Sequence, residues 1–184
     1  MVGNCREFVC ASQSTMNADS PPRRGTRRLL LIVYHTQFGA TAQMAQAAFD
    51  GARSIDDVDT VLLRAADAGV AALLAADALL IATSENFGGM AGMMKDFLER
   101  TYYPCEGRLE GRPYAVIVCA GTDGTGALRD VDRVATGWRL NKVHPGLIHK
   151  SGVTARPVIV PDDVLAQCRE IGTTLAAGVA AGIY

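Results

Sequence analysis

Hydrophobic residues along the chain fall into short runs that alternate with longer segments of helical periodicity. The runs predicted to form strands are 29–34, 59–65, 78–84 and 114–120. The first, third and fourth are apolar almost throughout, which is typical of strands in a parallel sheet covered on both faces. A fifth strand is expected within 143–160, where the segments VHPGLIH and RPVIV are both candidates.

The segments between these runs have the one-sided apolar periodicity of helices that pack on a sheet. They cover residues 40–53, 67–76, 90–103, 126–140 and 162–181. Because strands and helices alternate, the pattern predicts an α/β fold with right-handed crossovers, a doubly wound three-layer sandwich. Five such units in 184 residues favour a flavodoxin-like domain over 28–184, with a five-stranded parallel sheet of order 2-1-3-4-5.

Composition limits the classes of function. The chain is 49% hydrophobic and 20% charged, as in ordinary soluble proteins, and its net charge is −1. This balance gives no indication of nucleic-acid binding, and no apolar run approaches the ~20 residues of a membrane-spanning helix. We therefore expect no nucleic-acid or membrane partner. The five scattered cysteines have no CxxC spacing, so we expect reduced thiols in a cytoplasmic protein rather than zinc ligands or disulfides.

Residues 1–27 differ in composition from the rest of the chain. The stretch NADSPPRRGTRR combines Pro, Ser, Gly and Arg without periodicity, which predicts a flexible N-terminal arm. The first 28 residues contain five Arg, one Glu and one Asp, so their charge is +3 and the remainder carries −4. A basic arm can bind polyanions, but an extended leader is the simpler interpretation, and Met16 is an alternative start.

Loops that contain glycine follow the first, third and fourth predicted strands, at the sheet edge where this fold binds ligands. The first loop, HTQFGAT, places hydroxyl groups and a glycine before a helix, an arrangement that suits one phosphate group. It lacks the Lys of a P-loop and the spacing of GxGxxG, so it favours neither a triphosphate nor a pyrophosphate. The alternative is an ordinary turn in which Thr41 caps the helix.

The second loop, SENFGGM, has two glycines beside Phe87, which permits close approach of the backbone to a flat ring. The alternative is that Phe87 fills the core and the glycines form a loose turn. The third loop, AGTDGTGA, suits an amide-lined nest for an anion, although Asp-Gly is also an ordinary turn signal. Each loop alone is a weak indicator, and their shared position at one sheet edge favours a ligand site.

The motifs VYHTQFGATAQMA, ATSENFGGMAGMMKDFLER and VCAGTDGTGA, in this order, resemble those of the flavodoxin-like FMN-binding NAD(P)H oxidoreductases. This family includes NAD(P)H:quinone oxidoreductases and NADPH-dependent FMN reductases, and the resemblance extends from about Arg28 to the last helix. It implies FMN as cofactor and NAD(P)H as co-substrate. The implied function is the passage of hydride from NAD(P)H through FMN to a quinone or similar small acceptor. Relatives form dimers or tetramers, so the resemblance also implies a homodimer or homotetramer.

The resemblance assigns a different part of FMN to each loop. The phosphate is expected at Thr36, Gln37, Phe38, Gly39, Ala40 and Thr41. The isoalloxazine is expected at Ser84, Glu85, Asn86, Phe87 and Gly88. The third loop is expected to close on the other side of the flavin through Ala120, Gly121, Thr122, Asp123 and Gly124. No catalytic side chain and no metal are expected, because the flavin carries the chemistry.

This chain departs from the family pattern beside the flavin. The quinone oxidoreductases usually have Thr-Pro-Thr-Arg before the loop Phe, whereas this chain has TSEN and lacks that cation. Ala40 occupies a position that is often His, and the third loop lacks the usual histidine. The departures concern quinone activity more than FMN binding.

Glu85 is hypothesised to face the ring and lower its reduction potential, the alternative being a solvent-facing side chain. The other functions that the sequence leaves open are a flavodoxin-type electron carrier without NAD(P)H activity and a flavin-free binding protein of the same fold.

Overall fold

The computed structural model of the protein describes residues 27–152 and 157–184. The strands are β1 (Arg28–Tyr34), β2 (Val58–Arg64), β3 (Ala78–Asn86), β4 (Gly89–Met90), β5 (Pro113–Ala120), β6 (Asn141–Lys142) and β7 (Leu147–Lys150). The helices are α1 (Ala40–Ala52), α2 (Val70–Ala75), α3 (Gly92–Cys105), α4 (Thr125–Gly137) and α5 (Asp162–Ala180). The predicted helices and the first four predicted strands match these bounds within a few residues. The predicted arm lies outside the described residues except for Arg27.

The strands form one sheet in which β2, β1, β3 and β5 lie side by side and are parallel. The outer position beside β5 is shared by β6 and β7, which pair with its beginning and its end. Counted as one strand, they complete the predicted flavodoxin-like order 2-1-3-4-5, so the predicted fold class is confirmed. The prediction of five strands was wrong, because the fifth strand is split and β4 is added antiparallel to β3.

The fifth strand is interrupted between Lys142 and Leu147 by Val-His-Pro-Gly. Pro145 cannot donate a ladder hydrogen bond, and Gly146 has a φ of 100°, which is incompatible with an extended strand. The candidate segment VHPGLIH therefore supplies β7, whereas residues 157–160 of the competing segment are not in a strand.

Side chains of the central strands alternate between two cores, because successive strand residues point to opposite faces. Leu30 and Ile32 pack in the core that includes α1 and α5. Leu31 and Val33 pack in the other core, with residues of α2, α3 and α4. Among the described residues no helix is long and apolar enough to cross a bilayer.

Helices α1 and α5 touch through their backbones, and this contact depends on glycine. A Cβ added to Gly172 would lie 1.9 Å from the Ala48 carbonyl oxygen, and one added to Gly51 would lie 2.1 Å from that of Arg169. The Thr173 hydroxyl also donates a hydrogen bond of 3.0 Å to the Gly51 carbonyl oxygen. The α5 helix thus fixes α1, which in turn fixes the loop that begins at the end of β1.

We predict that Thr60→Val in β2 will raise the free energy of unfolding by about 1 kcal/mol, because an unpaired buried hydroxyl carries a desolvation cost. The Thr60 Oγ1 atom is buried and has no hydrogen-bond partner among the described residues. Chemical denaturation would measure the change. Thr101→Val is the matched control, because the Thr101 hydroxyl donates a 2.7 Å bond to the Phe97 carbonyl and its removal should destabilise the fold. Destabilisation by both substitutions would contradict the prediction.

Candidate functional site

A cleft of about 530 Å³ opens at the carboxyl edge of the sheet, between the ends of β1, β3 and β5. Its volume lies within the range of about 300–1,000 Å³ found for small-molecule sites. The predicted site residues that line it are Thr36, Gln37, Phe38, Ala40, Thr41, Ser84, Glu85, Asn86, Phe87, Ala120 and Gly121. The three loops singled out in the sequence therefore meet at one cleft.

Some predicted residues lie outside the lining, and some lining residues were missed. Gly39, Gly88, Thr122, Asp123 and Gly124 do not line the cleft, whereas Cys119, Ser151, Gly152 and Val158 do. The missed residues after β7 follow the fifth strand, whose position the sequence left open. Once VHPGLIH is taken as that strand, the residues that follow it are expected at the same sheet edge.

The first loop leads into the N-terminus of α1. Gly39 occupies the N-cap position with a φ of 86°, no side chain caps it, and the first turn has no acidic residue. The Gly39 amide donates to the Thr36 hydroxyl at 3.0 Å, which closes the turn. The alternative with Thr41 as N-cap was wrong, because Thr41 lies inside the helix and is 1% exposed. No carboxylate among residues 27–152 and 157–184 therefore bonds the amides of the first helical turn, where the helix dipole favours an anion.

Gln43 fixes one wall of the cleft although sequence reasoning did not single it out. Its Nε2 atom donates to the Val158 carbonyl oxygen at 2.8 Å, and its Oε1 atom accepts from the Val160 amide at 3.2 Å. These two bonds hold the segment after β7 against α1. A polar residue at the fourth position of a helix gives no sequence signal for such a distant partner.

The second loop is a tight β-hairpin rather than a loose turn. Asn86 pairs with Gly89, and Phe87 and Gly88 between them have φ angles of 54° and 76°. Positive φ at both central residues is the requirement of a two-residue type I′ turn. Phe87 is fully exposed at the tip and lines the cleft, so it does not fill the core. A bulky residue held in the left-handed region costs about 1–2 kcal/mol, and such strain is concentrated at functional sites.

Glu85 binds the beginning of α4, which neither sequence interpretation anticipated. Its Oε2 atom accepts from the Gly124 amide at 2.8 Å, and its Oε1 atom accepts from the Ala127 amide at 3.4 Å. Glu85 therefore does not simply point into solvent, and the hypothesis that it lowers the reduction potential of a bound flavin stays a prediction. The predicted anion nest of the third loop exists, but the protein's own carboxylate occupies it.

Two titratable groups at the carboxyl ends of β5 and β1 have pKa values shifted by burial. Burial raises the pKa of the Cys119 thiol, although a hydrogen bond with Ser151 lowers it in part. Burial lowers the pKa of His35, although a hydrogen bond with Gln37 partly opposes this. Ser84 contributes an Oγ atom that is buried and lacks a partner within the described part of the chain. The described residues contain no cluster of His, Cys, Asp and Glu that could hold a metal ion.

Sequence comparisons place the chain near flavin-dependent oxidoreductases. Residues 63–145 match the protein family described as NADPH-dependent FMN reductase. A NAD(P)H dehydrogenase (quinone) of Acidithiobacillus ferrooxidans is 31% identical over 53% of this chain and 59% of its own length. The same enzyme of Syntrophobacter fumaroxidans is 27% identical over 65% of this chain and 69% of its own length. The chain thus spans about three fifths of the first relative.

Solved structures share the fold at lower identity. A flavodoxin from the domain Archaea has a TM-score of 0.69 and 22% identity, covering 82% of this chain and 98% of the other. A flavodoxin, WrbA-like protein from Agrobacterium tumefaciens has a TM-score of 0.63 and 21% identity, and the match covers 84% of this chain and 98% of the other. These structures establish the fold, and the sequence matches confirm the resemblance to the NADPH-dependent FMN reductases and NAD(P)H dehydrogenases (quinone). The chain has a flavodoxin-like fold, and its residues 63–145 are similar to the NADPH-dependent FMN reductases.

Proposed function

We propose that the protein is an FMN-dependent oxidoreductase that transfers electrons from NAD(P)H to a quinone or a similar small acceptor. The family match and the names of the relatives support an NAD(P)H-dependent flavin oxidoreductase. FMN supplies the hydride chemistry when it is bound, and the protein binds it, orients it and controls access. The cytoplasmic location and the homo-oligomeric state expected from the sequence remain predictions.

The observation that carries this proposal is the difference between the two helix N-termini at the cleft. Both α1 and α4 begin at a left-handed glycine without a side-chain cap of its own, with φ angles of 86° and 89°. The Glu85 carboxylate bonds the N-terminus of α4, whereas no carboxylate in the described part of the chain bonds the N-terminus of α1. One open helix N-terminus flanked by Thr36 and Thr41 suits one phosphate group, which is what FMN carries.

The remainder of the cleft fits the rest of FMN. Asn86 and Phe87 of the β3–β4 hairpin, together with Ala120 and Gly121, line the part of the cleft that a planar ring can approach. Phe87 presents an exposed aromatic ring at the cleft, and Ser84, which also lines it, has a buried hydroxyl without a hydrogen-bond partner among the described residues. We propose that the hairpin side holds the isoalloxazine and that Phe87 contacts the ring or the acceptor.

We predict that Thr36→Val and Thr41→Val will each weaken FMN binding about tenfold, because a hydrogen bond to a charged group contributes about 1.5–3 kcal/mol. Quenching of FMN fluorescence during titration of the apoprotein would measure both dissociation constants. Thr136→Val is the matched control, since its hydroxyl bonds the Asp132 carbonyl on the exposed part of α4. Unchanged affinity in both test variants would exclude the first loop as the phosphate site.

Two measurements distinguish the proposed enzyme from its alternatives. The purified protein, reconstituted with FMN and freed of excess, should retain the visible absorption of a flavoprotein. A protein that stays colourless would be a flavin-free binding protein. Steady oxidation of NADH or NADPH with a quinone acceptor is expected of the enzyme, whereas a flavodoxin-type carrier would bind FMN but oxidise neither nucleotide at an appreciable rate.

A further inference from the structure

The β3–β4 hairpin is held on α4 by polar contacts that run in both directions. From the hairpin, Glu85 accepts hydrogen bonds from the Gly124 and Ala127 amides. From the helix, the Asp130 Oδ2 atom accepts a 3.2 Å bond from the Met90 amide. Two carboxylates on opposite sides of the contact therefore fix the hairpin against the first two turns of α4.

The backbones of the hairpin and the helix also meet directly at Gly126. A Cβ added there would lie 1.9 Å from the Gly88 carbonyl oxygen and 3.3 Å from the Glu85 carboxylate. The absence of a side chain on Gly126 thus lets Gly88, at the hairpin turn, rest on the helix. This contact sets the distance between the hairpin turn and α4.

We propose that Glu85 is a positioning residue for FMN, acting as an internal anion that holds the hairpin at the ring end of the cleft. This inference rests on the proposed function, since it concerns the same cleft. Asn86 and Phe87 directly follow Glu85 and line the cleft. Their placement depends on the Glu85 carboxylate because an isolated two-stranded hairpin is only marginally stable in water.

The strained turn makes this dependence stronger. Phe87 has a φ of 54°, a conformation that a bulky residue leaves when its surroundings no longer enforce it. Without the carboxylate, the Gly124 and Ala127 amides lose their partner, and the turn keeps the Asp130–Met90 bond and the contact at Gly126 but is held less firmly. The phosphate end is built by the loop after β1 and by α1, so it is not part of the tether.

The test compares Glu85→Ala, Glu85→Gln and the control Glu99→Ala, a surface carboxylate of α3 that pairs with Lys95. We expect Glu85→Ala to weaken FMN binding by about 10- to 100-fold, because it removes two charged hydrogen bonds. The visible circular dichroism of FMN at saturation should also change in Glu85→Ala, since the ring is no longer held in one orientation. The FMN affinity and circular dichroism of Glu85→Gln should lie between those of Glu85→Ala and the wild type. Both quantities should be the same in Glu99→Ala as in the wild type.

A second measurement separates positioning from general stability. Hydrogen exchange of the Gly124 and Ala127 amides in the apoprotein should accelerate in Glu85→Ala, while the amides of β1 keep their protection. Adding Thr36→Val to the wild type and to Glu85→Ala should reduce FMN affinity by the same factor in both, because the two ends of the cleft act independently.

The inference is overturned if folded Glu85→Ala binds FMN with wild-type affinity and wild-type circular dichroism. If Glu85→Ala fails to fold, the same two measurements on Glu85→Gln decide the matter, and wild-type values there overturn it. A wild-type protein that binds no FMN would instead refute the proposed function. The two failures are therefore distinguishable.

Discussion

Ala40→Asp is expected to weaken FMN binding by at least about 100-fold, since two unit charges 4 Å apart repel by about 4 kcal/mol at an effective dielectric constant of 20. Ala40 is the first residue of α1, lines the cleft and is 5% exposed. A carboxylate at this position would occupy the place proposed for the phosphate and would satisfy the same amides. Titration of the apoprotein with FMN measures the loss.

Ala40→Asn is the matched control, because it has nearly the same shape without the charge. The ratio of the two dissociation constants isolates the electrostatic contribution from any steric one. Without FMN, the free energy of unfolding should be higher for Ala40→Asp than for Ala40→Asn, since an acidic residue at a helix N-terminus contributes about 0.3–1 kcal/mol. Equal FMN affinity in Ala40→Asp and Ala40→Asn would rule out an anion at the N-terminus of α1.

Gly172→Ala is expected to lower the free energy of unfolding by about 3 kcal/mol, because the new methyl group would clash with backbone atoms of α1, which cannot move aside as a side chain can. The added carbon would lie 1.9 Å from the Ala48 carbonyl oxygen and 2.7 Å from its carbon, both backbone atoms of α1. Relief therefore requires α1 and α5 to separate. Urea denaturation measures the change. FMN affinity should fall as well, since α1 carries the first loop of the cleft.

Gly92→Ala is the control with the opposite expected sign. Gly92 is the first residue of α3, and a Cβ added there would meet no atom within 4 Å. Alanine is favoured over glycine in a helix by up to about 1 kcal/mol, so this substitution should leave stability unchanged or increase it. A similar loss of stability in Gly92→Ala and Gly172→Ala would show that the α1–α5 contact is not the cause.

Periodic patterns predicted most of the fold because they reflect local geometry. The apolar runs of β1, β3 and β5 and the stripe of α5 are long enough to show their period, so their bounds match the prediction. The fifth strand was left open because its two parts are short and a Pro-Gly pair lies between them. No pattern can emerge from strands of two and four residues.

The contacts that shape the candidate site were harder to predict because they join distant parts of the chain. Glu85 and Gly124 are 39 residues apart, and Gln43 and Val158 are 115 apart. A glutamate after a strand and a glycine before a helix are each common, and nothing in their sequence context links them. The three loops were predictable because parallel strands end at one edge, whereas the partner of each side chain was not.

The interrupted outer strand has a consequence for how the protein behaves at high concentration. An unbroken edge strand exposes a row of amides and carbonyls that can pair with another molecule. Here that edge is divided into segments of two and four residues, with Pro145 between them and a lysine at the end of each. The sheet therefore offers a poor template for growth on this side, and resistance to aggregation is built into the same break that complicated the prediction of the fifth strand.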